Sequence, residues 1–233
     1  MLFFNILLAV AALIVAGCGG DLDPPWQLDH DRIVAVRATP PAIVPGQRSQ
    51  IDGLLAVKGS TSIEKVPETV RVISPPSLTG AVAFDAGAWV VTAPDEAALA
   101  AVRAELGLAA GAPVPLRLGV AYADQTLVGL KAVTLGATGA NPELAVPSID
   151  GVAAPTPGEP IVVGVVIDVP LSIDAADTDD VNWLTSCGTM HDHDLPHATL
   201  RVEPGDPTEG ELAVVVRDDH GGVAWQVWPI RAE

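Results

Sequence analysis

The chain has 233 residues, 12 Lys and Arg against 29 Asp and Glu, and a formal net charge of -17. Nucleic acids and anionic lipid headgroups are polyanions, and with no basic cluster anywhere this balance excludes them as partners recognised by charge. Gly and Pro, at 22 and 21 residues, recur as punctuation between apolar runs, and five of the few aromatics are Trp. That pattern predicts a mainly β protein whose cores are built from Val, Leu, Ile and Ala.

In chain order, an apolar run from Leu2 to Gly17 comes first, closing on Val15-Ala16-Gly17-Cys18. It falls short of the ~20 apolar residues of a membrane-spanning helix and ends in small residues, as an export signal does. The four closing residues resemble the lipobox of bacterial lipoproteins, although no Lys or Arg precedes them. The resemblance implies a signal peptide over 1–17 and a diacylglyceryl-modified Cys18 as the first residue of the mature protein. It further implies attachment to the membrane through lipid. Gly19 after the Cys points to the outer membrane, facing the periplasm or the cell surface. Residues 18–31, with Asp21, Asp23, Asp29 and Asp31 around Trp26, read as an acidic tether. With Cys18 taken by lipid, Cys187 has no disulfide partner.

Residues 32–136 read as one β-sandwich domain, with strands at Ile33 to Thr39, Ser49 to Val57, Thr69 to Ile73, Ala81 to Phe84, Ala88 to Thr92, Pro115 to Ala123 and Thr126 to Leu135. One helix, near 94–106, is inserted. Thr92 or Ala93 would cap it, Leu99, Val102 and Leu106 would form its apolar face, and Gly107 would close it. Gly136 to Pro142 marks a boundary. Residues 143–233 then read as a second sandwich, with strands at Leu144 to Ile149, Ile161 to Val169, Val181 to Leu184 and Ala198 to Val202. It ends in a hairpin of Glu211 to Arg217 with Gly222 to Trp228. Proline-rich segments at 40–46 and 153–158 precede a strand in each half and suggest a repeated architecture.

The residues from Asp174 to Trp225 resemble immunoglobulin-like modules of the polycystic-kidney-disease and cadherin-like type of bacterial surface proteins. The shared features are the acidic loop of Asp174, Asp177 and Asp180, then Trp183, Gly188-Thr189, and the hairpin run Val214 to Gly222. The resemblance implies an immunoglobulin-like β-sandwich over roughly the last 80 residues, with Trp183 plugging its core and no catalytic residues; the first half looks like a diverged relative, which makes two immunoglobulin-like β-sandwiches in tandem. The resemblance also implies a structural or protein-interaction module for adhesion or display, whose partner is another envelope protein or a glycan. The alternative is a zinc- or copper-binding protein. His191 and His193 share a side if their segment is extended, with Cys187 and His197 at the flanks. A third reading gives calcium to Asp174, Asp177, Asp180 and Asp218. No Gly-x-Ser-x-Gly elbow or phosphate-binding Gly loop accompanies these residues, so the sequence reads as a non-enzyme without a resident cofactor.

Overall fold

The computed structural model describes residues 23–59 and 62–233. The signal segment and Cys18 therefore lie outside the described residues. The first half contains β1 (Arg32–Thr39), β2 (Ala42–Ile43), β3 (Arg48–Ala56), β4 (Ile63–Lys65), β5 (Thr69–Ser74), β6 (Val82–Asp85), β7 (Ala88–Thr92), α1 (Glu96–Leu106), β8 (Val114–Tyr122) and β9 (Leu127–Leu135). The second contains β10 (Ser148–Ile149), β11 (Val152–Ala153), β12 (Ile161–Val163), β13 (Asp168–Ser172), β14 (Asp180–Thr185), β15 (Thr189–His191), β16 (His197–Arg201), β17 (Glu209–Arg217) and β18 (Val223–Ala232).

These strands form four sheets. The orders are β1-β3-β7-β6, with β4 on β3, and β2-β9-β8-β5 in the first half. In the second half they are β11-β10-β13-β16-β15 and β12-β18-β17-β14. Each half repeats one plan: a short early strand pairs in parallel with the last strand, β2 with β9 and β12 with β18, and the remaining pairs in these ladders are antiparallel. This is an immunoglobulin-like β-sandwich topology: β1, β3, β6 and β7 share one sheet and β5, β8 and β9 the other, as β10, β13, β15 and β16 do against β14, β17 and β18.

Alternation explains each inner face. Along β8, Val114, Leu116, Leu118 and Val120 point inward while Pro115 and Arg117 face water. They meet Val36, Ala38, Ile51, Leu55 and Val91 of the opposing sheet in one core. Leu99 and Val102 of α1 seal part of it. In the other half Trp183, fully buried, packs with Val169, Leu171, Leu200, Leu212, Val214 and Trp228. Its indole Nε1 has no hydrogen-bond partner among the described residues.

Several expectations need correction. The helix cap is Asp95, whose carboxylate accepts from Ala98 N at 2.8 Å. Thr92 and Ala93 are unavailable, because Thr92 ends β7 and Ala93 N is bonded to Gln47 O. The inner face of α1 is completed by Arg103, 3% exposed and bonded to Ala112 O and Glu96, while Leu106 turns outward. The run Ile161 to Val169 is two strands, because the chain leaves the β18 ladder at Gly164 and crosses to β16 in the other sheet. Of Leu144 to Ile149 only Ser148 and Ile149 join a ladder.

The acidic tether also ends earlier than Asp31. Gln27 bridges in parallel to Thr185 on β14, Leu28 N donates to Thr185 O, and Thr185 N donates to Trp26 O. Leu28 is buried, so the segment covers an edge strand instead of hanging free. A third apolar layer then joins the halves: Leu28, Val34, Ala35, Leu54 and Ala56 pack on Leu184, Ala213, Val215, Val223 and Trp225. Asn141 fastens the connection, donating to Ala38 O and accepting from Val223 N.

Trp183→Ala should cost about 3–5 kcal/mol in chemical denaturation, the range for emptying a fully buried aromatic site. A loss under about 1 kcal/mol would place the ring at the surface and overturn this packing.

Candidate functional site

The four proposed zinc or copper ligands are not brought together. Cys187 is fully buried, and its thiol donates to Pro207 O at 2.8 Å. Burial, with Asp206 nearby, pushes the thiol's pKa up, away from the thiolate a metal needs. His191 lies in register with Thr199, and His197 with Ser172, so both project from the outer face of their sheet, opposite Met190 and Ala198. The ring of His193 instead packs against Trp26, centroids 5.6 Å apart. The extended geometry expected for 191–193 fails because β15 stops at His191. Among the described residues no three His, Cys, Asp or Glu side chains converge on a metal-sized site.

The acidic loop is similarly dispersed. Asp174, Asp177 and Asp180 are exposed, and Asp179 accepts from Ala176 N within its own turn. Asp218 is committed to the β17–β18 hairpin, where its Oδ1 accepts from His220 N and Gly222 N at 2.9 and 2.6 Å. A carboxylate that closes a turn in this way serves the register of the hairpin.

Two surfaces remain that the sequence reading did not single out. The first is the outer face of β5, β8 and β9. Leu130, 74% exposed, sits in register with Gly119, and Ile73 lies across Gly119. Val128 is 69% exposed, and Arg71 and Arg117 flank the patch with no ion pair among the described residues. The signal in the sequence was the run Leu127-Val128-Gly129-Leu130, apolar on both faces of one strand.

The second is the polar margin of the seam between the halves. Arg37 is bidentate to Asp52 and lies 3.9 Å from the centroid of Trp225, whose Nε1 donates to Glu64 at 2.6 Å. Lys131 points inward on β9 and donates from Nζ to Gly221 O across the seam, at 2.6 Å. Burial pulls its pKa down to about 8, with Asp218 opposing that shift and Arg217 adding to it. Arg217 spans the seam as well, donating to Asn182 Oδ1 and to Val34 O.

No family model matches the chain, and no curated protein matches it in sequence. Among solved structures it is similar to the tandem V-type regions of VCBP3, a v-region-containing chitin binding protein. That alignment has 10% identity and a TM-score of 0.34, covering 85% of this chain and 99% of that one. The tandem Ig repeats of Dlar align at 12% identity and TM-score 0.30, over 87% of this chain and 97% of that one. A nucleoside hydrolase-related hypothetical protein from Saccharophagus degradans aligns at 13% identity and TM-score 0.31, over 40% of this chain and 26% of that one. Scores this low carry no argument about this chain.

The Lys131 amine titrates lower in the folded chain than in the unfolded one, so between about pH 8 and 10.5 the unfolded state binds more protons and stability rises with pH. Relative to Lys131→Met, the wild type should therefore gain up to about 3 kcal/mol over that window, while Tyr122 and Cys187 titrate alike in both. Paired denaturation curves at pH 7 and pH 10 measure it. A constant difference would mean that the amine is solvated.

Proposed function

We propose that the chain is a lipid-anchored envelope protein, in which two tandem immunoglobulin-like sandwiches form one stiff body that presents a protein-binding face and performs no catalysis. The observation that carries this reading is the outer face of β5, β8 and β9. There, exposed Ile73, Val128 and Leu130 lie beside Arg71 and Arg117, on a chain with an otherwise acidic balance. Large apolar groups grouped on one face are favoured contact sites, and unpaired guanidiniums add specificity for carboxylates on a partner. The partner that fits is another envelope protein with an apolar surface edged by acids. The lipobox ending at Cys18 supports anchoring, and the docked segment at 26–28 leaves only a short stretch between Cys18 and the folded body. The metal reading is not retained, because its four residues do not converge on one site.

Expressed in a bacterial host, the chain should yield a mature N-terminus of diacylated Cys18 by mass spectrometry. Cys18→Ala should abolish fatty-acid labelling and release the protein from membranes; a chain cut elsewhere and still membrane-bound would rule the anchor out.

For the binding face, a photo-crosslinking residue at Leu130 should give a discrete protein adduct in intact cells, whereas the same probe at Thr199, on the polar outer face of the other end, should not. Equal labelling at both positions, or none at Leu130, would refute the assignment.

A further inference from the structure

Where the N-terminal segment, the first sandwich and the second sandwich meet, a cavity of about 170 Å³ is lined by Pro25, Arg32, Val34, Asn182, Leu184, His193 and Arg217. Two guanidiniums from opposite halves thus face one small space, beside an imidazole. Neither has a carboxylate within ion-pair distance among the described residues, although most other arginines of the chain do. Burial lowers the Arg217 pKa and Asp180, in register with it, only partly offsets this, because the Asp180 side chain is exposed and makes no ion pair with it among the described residues.

The protein's own hydrogen bonds leave much of both guanidinium forks unused. Arg32 engages two backbone carbonyls, of Pro25 and Gln27, through Nη1 alone. Arg217 gives one bond from Nη1 to Asn182 and one from Nη2 to Val34. An arginine carries five N–H donors in a plane, so both retain donors for a further acceptor. Burial disfavours both charges, and Arg32 further disfavours the charge on Arg217. Two like charges held together at a half-buried joint are costly unless an anion lies between them. Paired planar forks match the oxygens of such an anion, and Val34, Leu184 and Pro25 supply apolar walls that strengthen the attraction.

We propose that this cavity binds a divalent tetrahedral oxyanion, phosphate or sulfate, between Arg32, Arg217 and His193. Two fixed positive charges balance its charge, and the imidazole supplies a third donor. At roughly 30 Å³ per water, the volume admits one such ion with a few waters and excludes a nucleotide. Because the three walls come from three segments, an occupied site holds the N-terminal segment and both sandwiches in one arrangement. This inference is independent of membrane anchoring and of the outer binding face.

The test uses the purified full chain at constant ionic strength, with inorganic phosphate exchanged for chloride. The melting temperature should rise with phosphate along a saturable single-site curve. Sulfate should compete for the same site. Arg32→Gln should weaken apparent phosphate affinity by about tenfold or more, as losing charge-assisted hydrogen bonds does. Its phosphate-induced rise in melting temperature should shrink accordingly, whereas an Arg32 that only holds the Pro25 and Gln27 carbonyls would lower the melting temperature without phosphate and leave that rise unchanged. If Arg32→Gln fails to fold, the side-chain Nε–H resonances of Arg32 and Arg217 in the wild type decide the matter. Both should shift with phosphate and not with chloride. Unmoved resonances, an equal response to chloride, or no competition by sulfate would overturn the proposal.

Discussion

The packing of Leu54 and Ala56 against Ala213, Val215 and Trp225 is the constraint on which the rest of the structure depends. A sheet of an ordinary sandwich buries one face and wets the other. Here β3 and β17 are central strands whose residues are buried on both faces: Leu54, Leu55 and Ala56 in one, Leu212 through Val216 in the other. Each of these sheets must therefore be covered twice, once by its own partner sheet and once by the other half. The result is a succession of sheets with three apolar layers between them. Separating the halves would expose the middle layer to water, so the connection at Asn141 and the segment at 26–28 are held in place by a burial they also complete.

Four of the 12 Lys and Arg of this acidic chain secure that middle layer. Arg37 covers Trp225, Lys131 and Arg217 reach backbone carbonyls of the opposite half, and Arg32 holds the carbonyls of the N-terminal segment. Hydrophobic packing alone is non-directional and would tolerate a shifted docking of the two halves. Bonds from buried cations to particular carbonyls do not tolerate it, because a displaced amine or guanidinium would lose its acceptor in a poorly solvated place. Lys131 shows the cost: its ammonium is held where burial disfavours charge, and the seam gains a fixed register in return.

A body stiffened in this way has two unlike ends. The outer face of β5, β8 and β9 carries Ile73, Val128 and Leu130 with Arg71 and Arg117, unpaired among the described residues, whereas the outer face of β13, β15 and β16 carries His191, His197, Thr199 and Arg201. His191 and His197 are thus solvated surface residues of the polar end, whereas His193 turns toward Trp26 and the cavity at the seam. Their neighbour Cys187 belongs to the core beneath them, with its thiol bonded to a carbonyl. What distinguishes the apolar end is the absence of a covering layer over a strand as apolar outside as inside.

Local signals in the sequence determined most of the elements. Alternation gave β1, β3, β5 and β8, the Asp-Asp-His-Gly turn gave the β17–β18 hairpin, and Gly107 gave the end of α1, because each depends on residues close in the chain. The size of its indole placed Trp183 in a core for the same reason. The sequence also held an unread sign of the double burial, since Leu212-Ala213-Val214-Val215-Val216 is a continuous apolar run, which marks a strand covered on both faces. Only the tertiary structure decided which outer faces met, that residues 26–28 close the edge of β14, and that Arg32, Arg217 and His193 share one cavity. These residues are far apart in sequence and belong to three segments. Their meeting follows from burying two sheets back to back, a gain that no single strand's pattern contains.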